Sequence, residues 1–117
     1  MSLLQAQLAT CARFSVEHFP TLPTLKVGIA QDALEGGRPL NGLRHPPEGD
    51  TSGWYIWAGE SFSEASDYFA PLHASHLGVL CPAAVPYLGL PPGWRFLIAE
   101  GYEDVWFDEA LLDVSTG

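Results

Sequence analysis

The chain is short of cations. Its 117 residues include five Lys and Arg against fourteen Asp and Glu, which gives a formal net charge of −9 at pH 7. The imbalance lies in residues 59–117, which carry nine acids and one base, Arg95. Nucleic acids and anionic membranes are bound through clustered Lys and Arg. The sequence therefore predicts no nucleic-acid partner and no membrane partner. The acidity serves either solubility alone or the attraction of a basic protein.

Cysteine and long apolar runs are scarce as well. Cys11 and Cys81 are too few for a disulfide framework, so we expect two buried, reduced thiols. No run approaches the roughly 18 apolar residues of a membrane span. The start of the chain, MSLLQAQLATCARF, lacks the basic beginning of a signal peptide. Together these absences predict a cytoplasmic protein.

Signals of catalysis are weak. The chain has no Gly-x-Ser-x-Gly elbow and no glycine-rich phosphate loop. His73 and His76 are spaced for one helical face, but no further ligands follow at a recognised metal spacing. Glu60 is interpreted as an acid at a helix N-terminus. We therefore predict no catalytic residues, no metal, no cofactor and no enzymatic activity. A hydrolase that uses Glu60 and the histidines is the third-ranked alternative.

The chain does have enough apolar residues, 47%, for one core, and its length predicts a single domain over residues 1–117. Periodicity predicts helices at 3–18 and 60–69, helical pieces in HASHLGVL and PAAVPYLG, a closing turn at 109–113, and strands at 25–30, 54–58, 94–99 and 104–108. Residues 38–45 are predicted to form an irregular edge strand. The predicted fold class is α+β, with a twisted, mostly antiparallel sheet of about four or five strands packed against an N-terminal helix and short helices.

The last two strands are predicted to form a hairpin with Gly101 and Tyr102 as its loop. That register places Ala99 opposite Asp104, Leu97 opposite Trp106 and Arg95 opposite Asp108. Because side chains alternate across a strand, one face of the hairpin is wholly apolar and must face the core. Its residues are Trp94, Phe96, Ile98, Val105 and Phe107.

The other face of the hairpin contains Trp106 between two aspartates. Trp is a frequent energetic anchor in interfaces, so an exposed indole ringed by acids would suit a basic, partly apolar partner. A helix that covers this face, with Trp106 half-buried and Asp108 paired to Arg95, is the competing interpretation. The candidate partner-binding residues are Trp106, Asp104, Asp108, Tyr102, Glu103 and Glu100.

The order of motifs resembles the immunity protein 33-like family of small bacterial proteins, which are inferred to neutralise polymorphic toxins. The resemblance runs from about residue 27 to 107 and is most specific in DTSGWYIWAGE, residues 50–60. Arg44, before the preceding loop, also matches the family pattern. The resemblance implies a cognate toxin as partner and no catalytic residues or cofactor.

Two other functions remain open at this point. One is an accessory domain that binds a small ligand or a peptide, which a concave pocket containing Trp54 or Trp57 would favour. The other is self-association through the second face of the hairpin, which would hide Trp106 in a homodimer.

Overall fold

The computed structural model describes residues 3–59 and 68–112. Its strands are β1 (Lys26–Ala30), β2 (Leu40–Arg44), β3 (Thr51–Ala58), β4 (Phe69–His73), β5 (Trp94–Ala99) and β6 (Tyr102–Phe107). Its α-helices are α1 (Leu3–Arg13), α2 (Gln31–Leu34) and α3 (Leu77–Leu80). Three 3₁₀ helices cover Ala74–His76, Pro82–Tyr87 and Glu109–Leu112. No helix in this part of the chain is long and apolar enough to cross a membrane.

The strands form one six-stranded sheet in the order β4-β1-β3-β2-β5-β6. The α+β prediction is confirmed, although the sheet has more strands than predicted. The additional strand is β4, whose pairing with β1 depends on residues distant in sequence. Most pairs are antiparallel, as predicted, but β1 and β3 run parallel.

The prediction that residues 38–45 form an edge strand is wrong. β2 lies inside the sheet, between β3 and β5. Pro39 does not obstruct the ladder, because the strand begins one residue after it and the Pro39 carbonyl accepts a hydrogen bond from Gly59. Gly42 allows the ring of Phe96 on β5 to lie directly over the β2 backbone. A glycine usually argues against a strand, because it has no side chain to pack. At Gly42 the missing side chain instead makes room for the ring of Phe96.

Two helix predictions need correction. The first helix ends at Arg13 instead of reaching residue 18. Its end is a Schellman motif with Ser15 at a φ of 57°, a position that glycine usually occupies. The second predicted helix, at 60–69, lies mainly outside the described residues, but Phe69 begins β4 and is not helical. The later helical pieces and the closing turn are confirmed, with Pro82 in the first turn of its helix.

The predicted register of the last hairpin is also wrong, by two residues. Glu100 and Gly101 form the loop, with Gly101 at a φ of 73°, and Ala99 pairs with Tyr102. Arg95 consequently pairs with Trp106 and not with Asp108. Because side-chain direction repeats every two residues, this slip leaves every residue on the face that the sequence assigned to it.

The two faces of the sheet have different surroundings. The inner face packs against residues from α1, α3 and the 3₁₀ helix at Pro82–Tyr87, and these form the main core. Cys11 and Cys81 belong to that core as free, buried thiols, as predicted, and burial raises the pKa of both. A smaller cluster on the opposite face, the outer face, unites Ala30, Leu43 and Trp57 with Leu111 from the last 3₁₀ helix.

Arg44 is fully buried at the end of β2. Its guanidinium donates hydrogen bonds to the carbonyls of Phe19 at 2.7 Å, Leu90 at 2.8 Å and Ser52 at 3.0 Å. It also lies 4.8 Å from the ring centroid of Phe19 and 5.5 Å from that of Trp54. Burial lowers the pKa of Arg44 to about 10. The residue therefore ties two distant segments, around Phe19 and Leu90, to the sheet.

Candidate partner-binding surface

A continuous row of side chains crosses the outer face of the sheet. Tyr55 pairs with Leu43, Leu43 pairs with Arg95, and Arg95 pairs with Trp106. Neighbouring strands lie about 4.8 Å apart, so the backbones at the two ends of this row are roughly 14 Å apart. The outer face therefore joins the predicted surface around Trp106 to the centre of the sheet.

Trp106 is half-buried, and its neighbours combine features of both interpretations of the sequence. The guanidinium of Arg95 lies 5.3 Å from the Trp106 ring centroid. Arg95 also forms a salt bridge with Asp108 at 3.1 Å, as the second interpretation predicted. The cation over the indole thus comes from β5, and part of the Trp106 surface remains accessible.

The other predicted residues divide between the two faces. Tyr102 is 56% exposed and lies on the same face as Trp106, together with the exposed Asp104. Glu100 is exposed in the loop at the tip of the hairpin. The structure therefore brings an acid and two aromatic rings onto one side of the edge strand β6, next to Asp108.

Glu103 is directed to the opposite face, away from Trp106. Its carboxylate accepts hydrogen bonds from Arg13 of α1 and from the Tyr87 hydroxyl. These bonds lower the pKa of Glu103, and they raise the pKa of Arg13. The pKa of Tyr87 is also raised, first by burial and then by Glu103. Glu103 therefore fastens the hairpin to the helical layer.

A second feature of the outer face is a pocket that sequence reasoning did not assign to this surface. We call it the aromatic cage; it has a volume of about 180 Å³ and is lined by Leu43, His45, Tyr55, Trp57 and Phe69. Neighbouring rings meet nearly at right angles, with interplanar angles of 75° for His45 and Tyr55, and 73° for Tyr55 and Phe69. Trp57 and Phe69 meet at 81°.

The cage exists because of local features of three strands. Gly28 on β1 gives the Tyr55 ring its position, since a Cβ on Gly28 would lie 2.7 Å from the ring. His45 follows β2, and its Nδ1 lies 2.9 Å from the Leu111 carbonyl. A carbonyl can only accept, so Nδ1 carries the proton and donates it. The sequence contains one sign of the cage. The alternation in WYIWA places Tyr55 and Trp57 on one face of the strand and Trp54 on the other.

A hollow larger than the cage lies elsewhere, between α1 and the segment that follows it. It has a volume of about 330 Å³ and a mostly apolar lining that includes Leu4, Pro20, Leu22 and Leu88. This hollow belongs to the helical layer, which covers the inner face of the sheet. It shares no lining residue with the cage.

His73 and His76, which the hydrolase alternative would use, do not belong to a metal or catalytic cluster within the described residues. His73 and His76 are both exposed, with ring centroids 6.1 Å apart. Within residues 3–59 and 68–112, no three His, Cys, Asp or Glu side chains are grouped to hold a metal ion. Glu60 lies outside the described residues.

Comparison with known proteins identifies a family. The model of the Imm33-like domain matches residues 6–108, which includes all six strands and most of α1. No curated protein and no solved structure matches the chain. The matched span extends beyond residues 27–107, where the sequence alone showed the resemblance. The chain belongs to the Imm33-like domain family.

Proposed function

We propose that this protein is a non-enzymatic immunity protein that binds and neutralises a basic toxin in the cytoplasm. Membership of the Imm33-like family is the observation that carries the proposal. The free, buried thiols of Cys11 and Cys81 are compatible with a reducing compartment. Binding, and not catalysis, is the activity that the family suggests.

We assign the contact with the toxin to the side of β6 that contains Tyr102, Asp104 and Trp106, with Glu100 at its tip. Two rings and exposed carboxylates lie together there on an edge strand. The net charge of −9 would accelerate the encounter with a basic partner, and the indole would supply local apolar contact. Asp108 holds Arg95 and so contributes indirectly.

Co-expression tests this proposal. A basic toxin domain that stops growth on its own is produced in a bacterial host with or without this protein, and growth is recorded. We expect the wild type to restore growth and Trp106→Ala to bind the toxin at least tenfold more weakly, as truncated interface anchors do. The melting temperature should change little, because Trp106 is only half-buried.

Phe107→Ala is the matched control. Phe107 is an aromatic neighbour on the same strand that is 47% exposed on the other face. It should retain toxin binding. Failure of the wild-type protein to protect cells refutes the proposed function. A large drop in the melting temperature of Trp106→Ala would instead identify a structural tryptophan.

A second candidate function is the binding of a small ligand or a free peptide. The aromatic cage favours it, since it is a concave pocket that contains Trp57. Trp54, the other tryptophan considered, is fully buried and donates from Nε1 to Thr21 Oγ1 at 3.0 Å. Enrichment of one metabolite or free peptide on the purified protein, with no protection against the toxin, would support this alternative.

A further inference from the structure

The aromatic cage lies on the same face as the proposed contact surface, and its chemistry selects a kind of occupant. We propose that the cage receives the cationic end of a Lys or Arg side chain from the basic partner protein. This inference rests on the proposed function and adds a second contact to it, about three strand spacings from Trp106.

The geometry of the rings carries the inference. A Lys or Arg cation is attracted to the faces of aromatic rings within about 6 Å, and cages of several rings bind quaternary ammonium groups in the same way. In this pocket Tyr55 meets His45 and Phe69 nearly at right angles, with ring centroids 5.7 and 5.3 Å apart. These rings touch edge to face, so a cation would lie in the hollow of about 180 Å³ that they line together with Trp57.

One polar group of the cage, the His45 ring, also suits a cation. His45 donates from Nδ1 to the Leu111 carbonyl, and in the tautomer that carries its proton there Nε2 is a hydrogen-bond acceptor. Ammonium and guanidinium groups are donors only. An anion or a carbonyl in the cage would meet no matching donor at this nitrogen.

The surrounding charge favours the same occupant. A neighbouring hollow shares His45 and Tyr55 with the cage and is lined by Glu48 as well. Another shares Tyr55 and Phe69 with it and is lined by Lys26, whose ammonium is paired with Asp50 at 2.8 Å. The nearest cation on the row, Arg95, is held by Asp108 at 3.1 Å and lies over Trp106. A second copy of this chain would bring a further −9 charge to the same face, so charge complementarity favours a basic partner over self-association.

The test uses two capped tripeptides, Gly-Lys-Gly and Gly-norleucine-Gly, which differ at the end of one side chain. Each is titrated into the full-length protein while the Trp57 indole resonance is followed by NMR. We expect the lysine peptide to bind about fivefold more tightly, the scale of a partly desolvated cation–π contact. Tyr55→Leu should remove this preference and Tyr55→Phe should keep it, because only the ring is required.

A second control separates the cage from general attraction to an acidic protein. Phe107→Leu should leave lysine-peptide binding unchanged, since Phe107 is exposed on the other face of β6 and is not part of the cage. The proposal is overturned if the norleucine peptide binds equally well or better, or if neither peptide perturbs Trp57. It is also overturned if sedimentation shows a dimer that Tyr55→Leu dissociates.

Growth protection in the co-expression experiment distinguishes this inference from the proposed function. If Tyr55→Leu still protects cells fully while Trp106→Ala does not, the function stands and the cage is not a contact. If the lysine peptide binds the cage but the wild type protects no cells, the cage stands and the proposed function fails. If Tyr55→Leu loses protection and Tyr55→Phe retains it, both the proposed function and the role of the cage as a contact are supported.

Discussion

The two faces of the sheet follow the same alternation of side chains but differ in what covers them. On the inner face, Trp54 and Phe96 are almost completely enclosed by the helical layer and by each other. On the outer face, Tyr55 and Trp106 are half-exposed, although they are equally aromatic. Aromatic content in a strand therefore does not identify a binding surface. The face to which each ring belongs, and the segment packed on that face, decide its role.

The largest expected effect of a substitution concerns the inner side, at Arg44. Arg44→Met keeps an apolar stem but leaves the carbonyls of Phe19, Ser52 and Leu90 without their donor in a buried site. Each unsatisfied buried acceptor costs about 1–3 kcal/mol, so we expect the free energy of unfolding to fall by roughly 3 kcal/mol or more. Chemical denaturation measures it.

Arg38→Met is the control for this substitution. Arg38 is exposed, and its donors contact the nearby carbonyls of Gly36 and Gly37. It should change stability by less than about 0.5 kcal/mol, as most surface substitutions do. Equal losses for the two variants would show that the contacts of Arg44 do not stabilise the fold.

The same substitution at two glycines compares the faces directly. On the inner face, a Cβ on Gly42 would lie 2.1 Å from the ring of Phe96. That ring cannot move away easily, because it stacks on Tyr87 with centroids 4.6 Å apart and is almost fully buried. Gly42→Ala should therefore lower the free energy of unfolding by about 3 kcal/mol, at the upper end for overpacking. Thermal and chemical denaturation should agree on its size.

On the outer face, Gly28→Ala should have a smaller effect. The new Cβ would lie 2.7 Å from the Tyr55 ring, which is half-exposed and can tilt toward solvent. We expect a loss of about 1 kcal/mol. The lysine peptide should also bind more weakly, because the tilt changes the wall of the cage. A loss as large as that of Gly42→Ala would show that the outer face is packed as rigidly as the inner one.

The sequence predicts the faces of this fold better than its connections. Alternation in WRFLIA and DVWFD assigns every residue of the last hairpin to the correct face, even though the predicted register is wrong by two residues. A register depends on the loop conformation, and Gly101 can occupy either position of a two-residue loop. The end of α1 was missed for a related reason, since Ser15 adopts a conformation that normally signals glycine.

Features that depend on distant pairing could not be predicted from the sequence. β4 contains Pro71 and lacks clear alternation, and only its pairing with β1 makes it a strand. The aromatic cage likewise needs rings from β3 and β4 together with His45. The position of Glu103 follows from strand parity, but its partners on α1 and at Tyr87 do not. The surface around Trp106 was proposed from local sequence because all its members lie in one hairpin.

The smallest expected effect concerns Glu103 and depends on pH. Hydrogen bonds from Arg13 and Tyr87 hold its folded pKa below the usual 4.5, so the folded state favours the carboxylate. Its contribution is therefore present above pH 4.5 and is lost as the pH falls through the folded pKa. Glu103→Gln should reduce stability at pH 7 by less than about 1 kcal/mol, since the ion pair is screened by solvent. Denaturation from pH 7 to pH 3 should show the difference from wild type shrinking in acid.

Glu100→Gln, which removes one charge from the exposed loop of the same hairpin, controls for net charge. A difference for Glu103→Gln that stays constant across this range would show that the contacts of Glu103 do not depend on its ionisation.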